Sequence, residues 1–186
     1  MPRYIALLRA INVGGHVVKM DRLRELFESL ELASVETFIA SGNVIFDSRA
    51  GAAALEPKIE ATLRTALGYE VRTFLRTAQE LAAVAGYRPF PDAQLDTPGS
   101  SLYIAFLPAI PDEASRNKLL ALRNDIDDLH LYGRELYWWC RGRMLDSTLT
   151  GARLEKTVGM AMTARNVTTV RKLAAKYCVR PSTASS

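Results

Sequence analysis

The stretch that decides the fold is Val35-Glu36-Thr37-Phe38-Ile39-Ala40-Ser41-Gly42-Asn43-Val44-Ile45-Phe46. Residues 35–39 and 44–46 are rich in β-formers, and Ser41-Gly42-Asn43 between them is a hairpin signal. A helical pattern flanks this hairpin on each side. Before it, Leu23, Leu26, Phe27 and Leu30 recur at i, i+3, i+4 and i+7, with Asp21 as the expected N-cap. After it, Leu55, Ile59, Leu63 and Leu67 form an apolar stripe that stops at Gly68. Farther out, Tyr4-Ile5-Ala6-Leu7-Leu8 reads as a buried strand and residues 69–75 as another. Thr77-Ala78-Gln79-Glu80 is a capping box that opens a short helix with Leu81 and Val84 inward. The order is β-α-β-β-α-β, the ferredoxin-like split unit.

Residues 87–101 hold three prolines, several polar residues and Gly99, and read as a linker. The pattern then partly restarts: a strand over 102–107, a helix over 112–123, and strands over 126–131 and 135–140 around Tyr132-Gly133-Arg134. A helix near 152–158 follows, and the polar run 163–169 opens a last helix where a final strand would fall. The expected class is α+β, with two ferredoxin-like halves related by duplication, the second ending in helices. The expected divisions are an N-terminal half at 1–86, the linker at 87–101, a C-terminal half at 102–179 and a disordered tail at 180–186, which contains Pro181 and ends Ser-Thr-Ala-Ser-Ser.

Composition narrows the setting. The 186 residues are 48% hydrophobic and 24% charged, ordinary for a soluble globular chain. No apolar run approaches the roughly 20 residues that cross a bilayer, and the start shows no secretory signal. Cys140 and Cys178 stand far apart without a Cys-x-x-Cys pair, so neither a disulfide framework nor a zinc site is expected. The expected location is cytoplasmic. The net charge of +4 conceals an asymmetry: residues 134–180 carry ten Lys/Arg against Glu135, Asp146 and Glu155. Such polarity steers anionic ligands, nucleic acid included, although a solvated surface explains it as well.

Three polar patches are the candidate binding elements. Arg9-Ala10-Ile11-Asn12-Val13-Gly14-Gly15-His16 offers two glycines that let backbone N–H groups approach an anion, and Arg9 to neutralise it. It is neither a Walker A loop nor a Gly-x-Gly-x-x-Gly turn, and a tight turn alone explains the glycines. Ser41 and Asn43 sit in the hairpin signal, where Ser41 lacks the Gly-x-Ser-x-Gly context of a nucleophile. The third patch is Thr163-Ala164-Arg165-Asn166-Val167-Thr168-Thr169. Asn166 there reads as an N-cap, and Val170, Leu173, Ala174 and Tyr177 form the buried stripe. Arg165 is the misfit, because a cation at a helix start is disfavoured unless it meets an anion.

These segments resemble an uncharacterised bacterial family, domain of unknown function 1697. Leu7-Leu8-Arg9-Ala10-Ile11-Asn12-Val13-Gly14-Gly15 is similar to its opening motif, usually Leu-Leu-Arg-Gly-Ile-Asn-Val-Gly-Gly. Residues 37–46 are similar to its second motif, and residues 163–170 to its third, commonly Thr-x-Arg-Asn-Trp-Asn-Thr-Val. Val167 and Thr168 stand here where that pattern has Trp and Asn. The resemblance implies an α+β fold with ferredoxin-like pieces and brings no activity, cofactor or catalytic residue.

Three functions follow from the residues. The first is a binding module for a small anionic or phosphorylated ligand, using Arg9, Asn12, Gly14, Gly15, Ser41, Asn43, Thr163, Arg165, Asn166 and Thr169. The second is nucleic-acid binding by the basic 134–180 segment. Tyr137-Trp138-Trp139 alternates within a strand there, so one Trp faces outward beside Arg141 and Arg143 to stack a base. The third is a transferase or hydrolase, ranked last because no acid/base pair, metal constellation or activated nucleophile is visible. No cofactor, metal or membrane partner is expected.

Overall fold

The computed structural model describes residues 1–12, 14–39, 42–91, 95 and 98–178. Among them the chain runs β1 (Arg3–Leu8), α1 (Met20–Glu28), β2 (Ala33–Phe38), β3 (Asn43–Asp47), α2 (Ala52–Leu67), β4 (Thr73–Thr77) and α3 (Ala78–Gly86). It continues through β5 (Ser101–Phe106), α4 (Glu113–Leu120), β6 (Asp127–Tyr132), β7 (Glu135–Cys140), a 3-10 turn (Met144–Asp146), α5 (Gly151–Val158), β8 (Thr163–Asn166) and α6 (Val167–Tyr177). The strands form two antiparallel four-stranded sheets, ordered β2-β3-β1-β4 and β6-β7-β5-β8. Each sheet belongs to a β-α-β-β-α-β half, so the α+β class holds. By internal contacts the chain divides into one compact unit of Met1–Gly86 with Arg171–Ser186 and another of Tyr87–Val170. The tail expected at 180–186 lies outside the described residues.

In the first unit, alternation on β1 sends Tyr4, Ala6 and Leu8 into a core built with Leu23, Leu26 and Phe27 of α1 and Leu55, Ile59 and Leu63 of α2. In the second, Ala105 of β5 and the adjoining Leu107 meet Leu119 of α4 and Leu154 and Val158 of α5. The opposite-face residues Ile5, Leu7, Ile104 and Phe106 are buried too, so both central strands are covered on both faces. That explains why they read as continuous apolar runs. α2 and α5 each end at a left-handed glycine, Gly68 at φ 80° and Gly159 at φ 73°, whose N–H returns to Arg64 and Glu155.

Register shows how closely the halves repeat. Tyr4 pairs with Phe46 and Thr77, and Tyr103 pairs with Trp138 and Asn166. Tyr4-Ile5-Ala6-Leu7-Leu8 and Tyr103-Ile104-Ala105-Phe106-Leu107 therefore occupy equivalent positions. Two sequence expectations are corrected. Residues 163–166 are a strand paired antiparallel with β5, so the second half closes with the strand it was expected to lack. Four residues with so many polar groups carry too little β signal to announce an edge strand. Asp21 is not the cap of α1: Lys19 precedes the helix with no side-chain capping bond, and Asp21 lies in the first turn, where its charge favours the helix dipole. The capping box does form, with Thr77 N–H donating to Glu80 at 2.8 Å and Glu80 N–H to Thr77 Oγ1 at 3.1 Å.

Candidate functional site

The first two patches meet at one end of the first sheet. Leu8 N–H donates to Gly42 O and Arg9 N–H to Arg72 O, both at 2.9 Å, which pins the start of the 9–18 loop beside the hairpin turn. A Cβ on Gly42 would lie 3.1 Å from Ile11 Cβ and 3.2 Å from Leu8 Cβ, so the turn touches the loop directly. Asn43 is fully buried, and its Nδ2 donates to Phe38 O at 3.0 Å, closing the turn. Asn12 accepts from Val18 N–H through its side chain and so clasps the loop's two ends. The backbone between is left-handed at Ala10 (φ 62°), Asn12 (57°), Gly14 (65°) and Gly15 (88°), and Ile39 opposite has φ 50°. For Ala10 and the β-branched Ile39 this conformation costs about 1–2 kcal/mol each. His16 stacks on Tyr69 with ring centroids 3.9 Å apart. Ser41, expected at this site, lies outside the described residues.

The third patch is in the second unit and is built differently from the sequence reading. Because 163–166 is a strand, its side chains alternate: Thr163 and Arg165 are buried while Ala164 is exposed. Arg165 Nη1 donates to Thr163 Oγ1 at 2.8 Å and to Ala164 O at 2.9 Å. Burial pushes its guanidinium down to about 10, so it stays protonated at neutral pH. The misfit at a helix start is thus resolved: Arg165 precedes α6 as a strand residue, on the face it shares with Ile104. Asn166 does cap the helix, its Oδ1 accepting from Thr168 N–H at 2.9 Å. Thr169 lies within α6 and is half-buried. Val167 and Thr168, the departures from the family pattern, are the helix's first two residues.

The stacking residue proposed for nucleic acid is not on offer. Trp138 and Trp139 are both buried, at 6% and 5% exposure. Trp138 Nε1 donates to Asp127 and Trp139 Nε1 to Ser100, at 2.8 and 2.6 Å. Alternation put them on opposite faces as expected, but both faces of β7 are covered. The Arg141 guanidinium lies 4.6 Å over the Trp139 ring, and Phe90 packs against it at 5.3 Å. Much of the basic segment is likewise engaged: Arg141 with Asp128 at 2.6 Å, Arg143 with Asp146 at 3.1 Å, and Lys176 with Glu36 at 3.7 Å. Asp127 is fully buried and also accepts from Ser147 Oγ at 2.8 Å, anchoring the 141–149 loop. Tyr87 and Phe90, from the segment read as a linker, pack against β6 and β7. Residues 92–94, 96 and 97 of that segment lie outside the described residues.

Comparison with known proteins decides the family. The model of the family described as "Protein of unknown function (DUF1697)" matches residues 1–137. The chain belongs to the DUF1697 family. The match takes in the first two motifs and stops short of the third. No curated protein matches the chain. A similar solved structure is that of the conserved bacterial protein SP0830 from Streptococcus pneumoniae, at 23% identity and a TM-score of 0.69. The alignment covers 94% of this chain and 97% of that one, and at this identity it speaks for the fold alone.

This DUF1697 chain also holds a cavity that no motif announced. It has a volume of about 980 Å³, lies in the first unit, and is lined by the segment 1–3, Asp47, the start of α3 and the end of α6. Arg3 reaches Asp47 through Nε and Nη2 at 3.0 and 3.2 Å. The pair holds the Asp47 carboxyl below the usual carboxylate range and raises the Arg3 guanidinium. Its residues come from four separate stretches, so no local pattern could have collected them. Among the described residues, no group of three or more His, Cys, Asp or Glu is arranged to hold a metal, and no helix is long and apolar enough to cross a membrane.

Proposed function

We propose that this protein is a binding module for a small anionic or phosphorylated ligand, taken by the 9–16 loop of the first unit. One observation carries the reading: among its described residues the loop departs repeatedly into left-handed backbone. A Cβ on Gly14 or Gly15 would meet nothing within 4 Å, so neither glycine is there to relieve crowding. A left-handed residue beside a right-handed one turns successive backbone N–H groups toward a common concavity, a form suited to anions. Strain of this kind collects where a ligand repays it. Arg9 supplies the charge, while Asn12 and Asn43 hold the loop and the turn. Thr163, Arg165, Asn166 and Thr169 serve the strand and helix start of the second unit in this reading. The setting we propose is the cytoplasm, in keeping with two free cysteines.

The test is a thermal-shift screen of the full chain against nucleotides, sugar phosphates and simple carboxylates. A ligand at one hundred times its dissociation constant stabilises by about 2.7 kcal/mol, which such a screen detects. Arg9→Ala should abolish the shift. A shift unaffected by Arg9→Ala sinks this placement. Oligonucleotide binding that weakens steeply with salt would move the reading to nucleic acid.

A further inference from the structure

The cavity of the first unit stands apart from the 9–16 loop, and its walls combine free donors with an apolar lining. Arg3 commits Nε and Nη2 to Asp47, and its Nη1 amino group has no acceptor among the described residues. At the start of α3 the capping box occupies the N–H groups of Thr77 and Glu80. The N–H groups of Ala78 and Gln79, next to each other on the cavity wall, keep the open valence of a helix's first turn. Pro2, Ala82 and Tyr177 supply apolar wall. A volume of about 980 Å³ falls at the upper end of the range for small-molecule sites, roughly 300–1,000 Å³.

We propose that this cavity binds a small organic carboxylate with an apolar body. The carboxylate meets Arg3 Nη1 and the Ala78 and Gln79 N–H groups, and the body lies along Ala82 and Tyr177. Charge selects the class. Arg3 is already paired with Asp47, so a singly charged carboxylate adds less repulsion here than a doubly charged phosphate, which would face the Asp47 carboxylate. The apolar wall then favours an organic anion over an inorganic one.

The experiment is a titration of the full chain with 2-naphthoate, followed by the backbone amide resonances. The expected result is movement of the Ala78 and Gln79 amides. Arg3→Gln should weaken binding at least tenfold. Ala82→Phe, placed on an exposed position of α3 and aimed at filling the cavity, should do the same while leaving the charged groups in place. The amides of Gly14 and Gly15 should stay still in the same titration, which separates this site from the loop. Inorganic phosphate should bind at least tenfold more weakly. Still amides at 78 and 79, affinity indifferent to Ala82→Phe, or phosphate binding as tightly as 2-naphthoate would each overturn the proposal.

Discussion

The two halves share one topology, and they differ where the chain leaves the first strand of each. After β1, the described residues of 9–19 include four left-handed ones before α1 begins. After β5, residues 107–112 make the equivalent connection with no positive φ, and Asp112 caps α4 by accepting from Ser115 N–H at 2.7 Å. The hairpins differ in the same sense. β6 and β7 are joined through a tight turn at Gly133, whereas Gly42 is wedged against Ile11 and Leu8. Topology requires only the short forms. The elaborated forms in the first half are additions, and both fall at one end of its sheet.

A second comparison changes the standing of Arg165. Ile5 pairs with Arg76 as Ile104 pairs with Arg165, and Arg76 is 1% exposed. Each guanidinium donates from Nη1 to the preceding carbonyl, at 2.8 Å to Leu75 O and 2.9 Å to Ala164 O. Each is followed by a cap residue and a helix. A buried arginine on the closing strand is thus a repeated part of the fold. Arg76→Ala and Arg165→Ala should each lower stability by about 3 kcal/mol, through the void left and the acceptors stranded. Arg165→Met should recover much of its loss, since it keeps length and removes the cost of burying a charge. Urea midpoints measure both. A large loss at Arg76 beside a negligible one at Arg165 breaks the equivalence and returns Arg165 to the ligand hypothesis.

The hairpin turns give the next largest contrast. Gly42→Ala forces a Cβ against two Cβ atoms that cannot swing away, in addition to the strain of φ 75°, and should cost about 2–3 kcal/mol. Gly133→Ala carries strain at φ 59° but meets only Glu135 Oε2 at 3.5 Å, so about 1 kcal/mol is expected. Equal losses would mean that the contact between the turn and the 9–18 loop is not a constraint.

What the sequence disclosed follows the reach of its signals. Helices with stripes such as Leu55, Ile59 and Leu63 were legible because burial on one face writes a period into neighbouring residues. β8 was not, because Thr163–Asn166 gains its strand from pairing with β5, a partner far along the chain. The polar motifs were legible as residues, but the contacts of their side chains were not: Asn12 accepts from Val18 N–H and Asn43 donates to Phe38 O, partners that no local pattern names. The burial of Trp139 depends on Phe90 and Arg141, which no alternation rule could bring to it. The repeat of residues 4–8 at 103–107 was present in the letters, but register is what gives it meaning.

The helix starts that close each half should respond alike. Thr77→Ala and Asn166→Ala each remove one capping acceptor and should cost about 1 kcal/mol by thermal unfolding. Ligand binding sharpens the comparison. If Asn166 serves only the helix, the thermal shift produced by an anionic ligand persists in both variants. Its loss in Asn166→Ala alone would give Asn166 a ligand role beyond the cap.

The smallest effect separates the edge strands. Glu36 and His130 are equivalent by register, pairing with Ile45 and Tyr137, and each is met by a tyrosine hydroxyl. Tyr177 donates to Glu36 at 3.0 Å, and Tyr87 lies 2.8 Å from His130 Nε2. Burial, with help from Arg116 and Arg123 and against the pull of Asp128, holds the His130 imidazolium below its ordinary range. With the folded value depressed, the unfolded chain takes up the proton first. Stability is therefore level above the unfolded value near 6.5 and falls as pH drops below it, until the folded value is passed. Urea midpoints at pH 7.5 and 5.5 should show a decrease smaller than the capping losses, and His130→Gln should remove that part of it. The window stays above the carboxylate range, where Asp47, held low by Arg3, begins to withdraw its own contribution. An undiminished decrease in His130→Gln would assign the slope elsewhere and leave the two edge strands electrostatically alike.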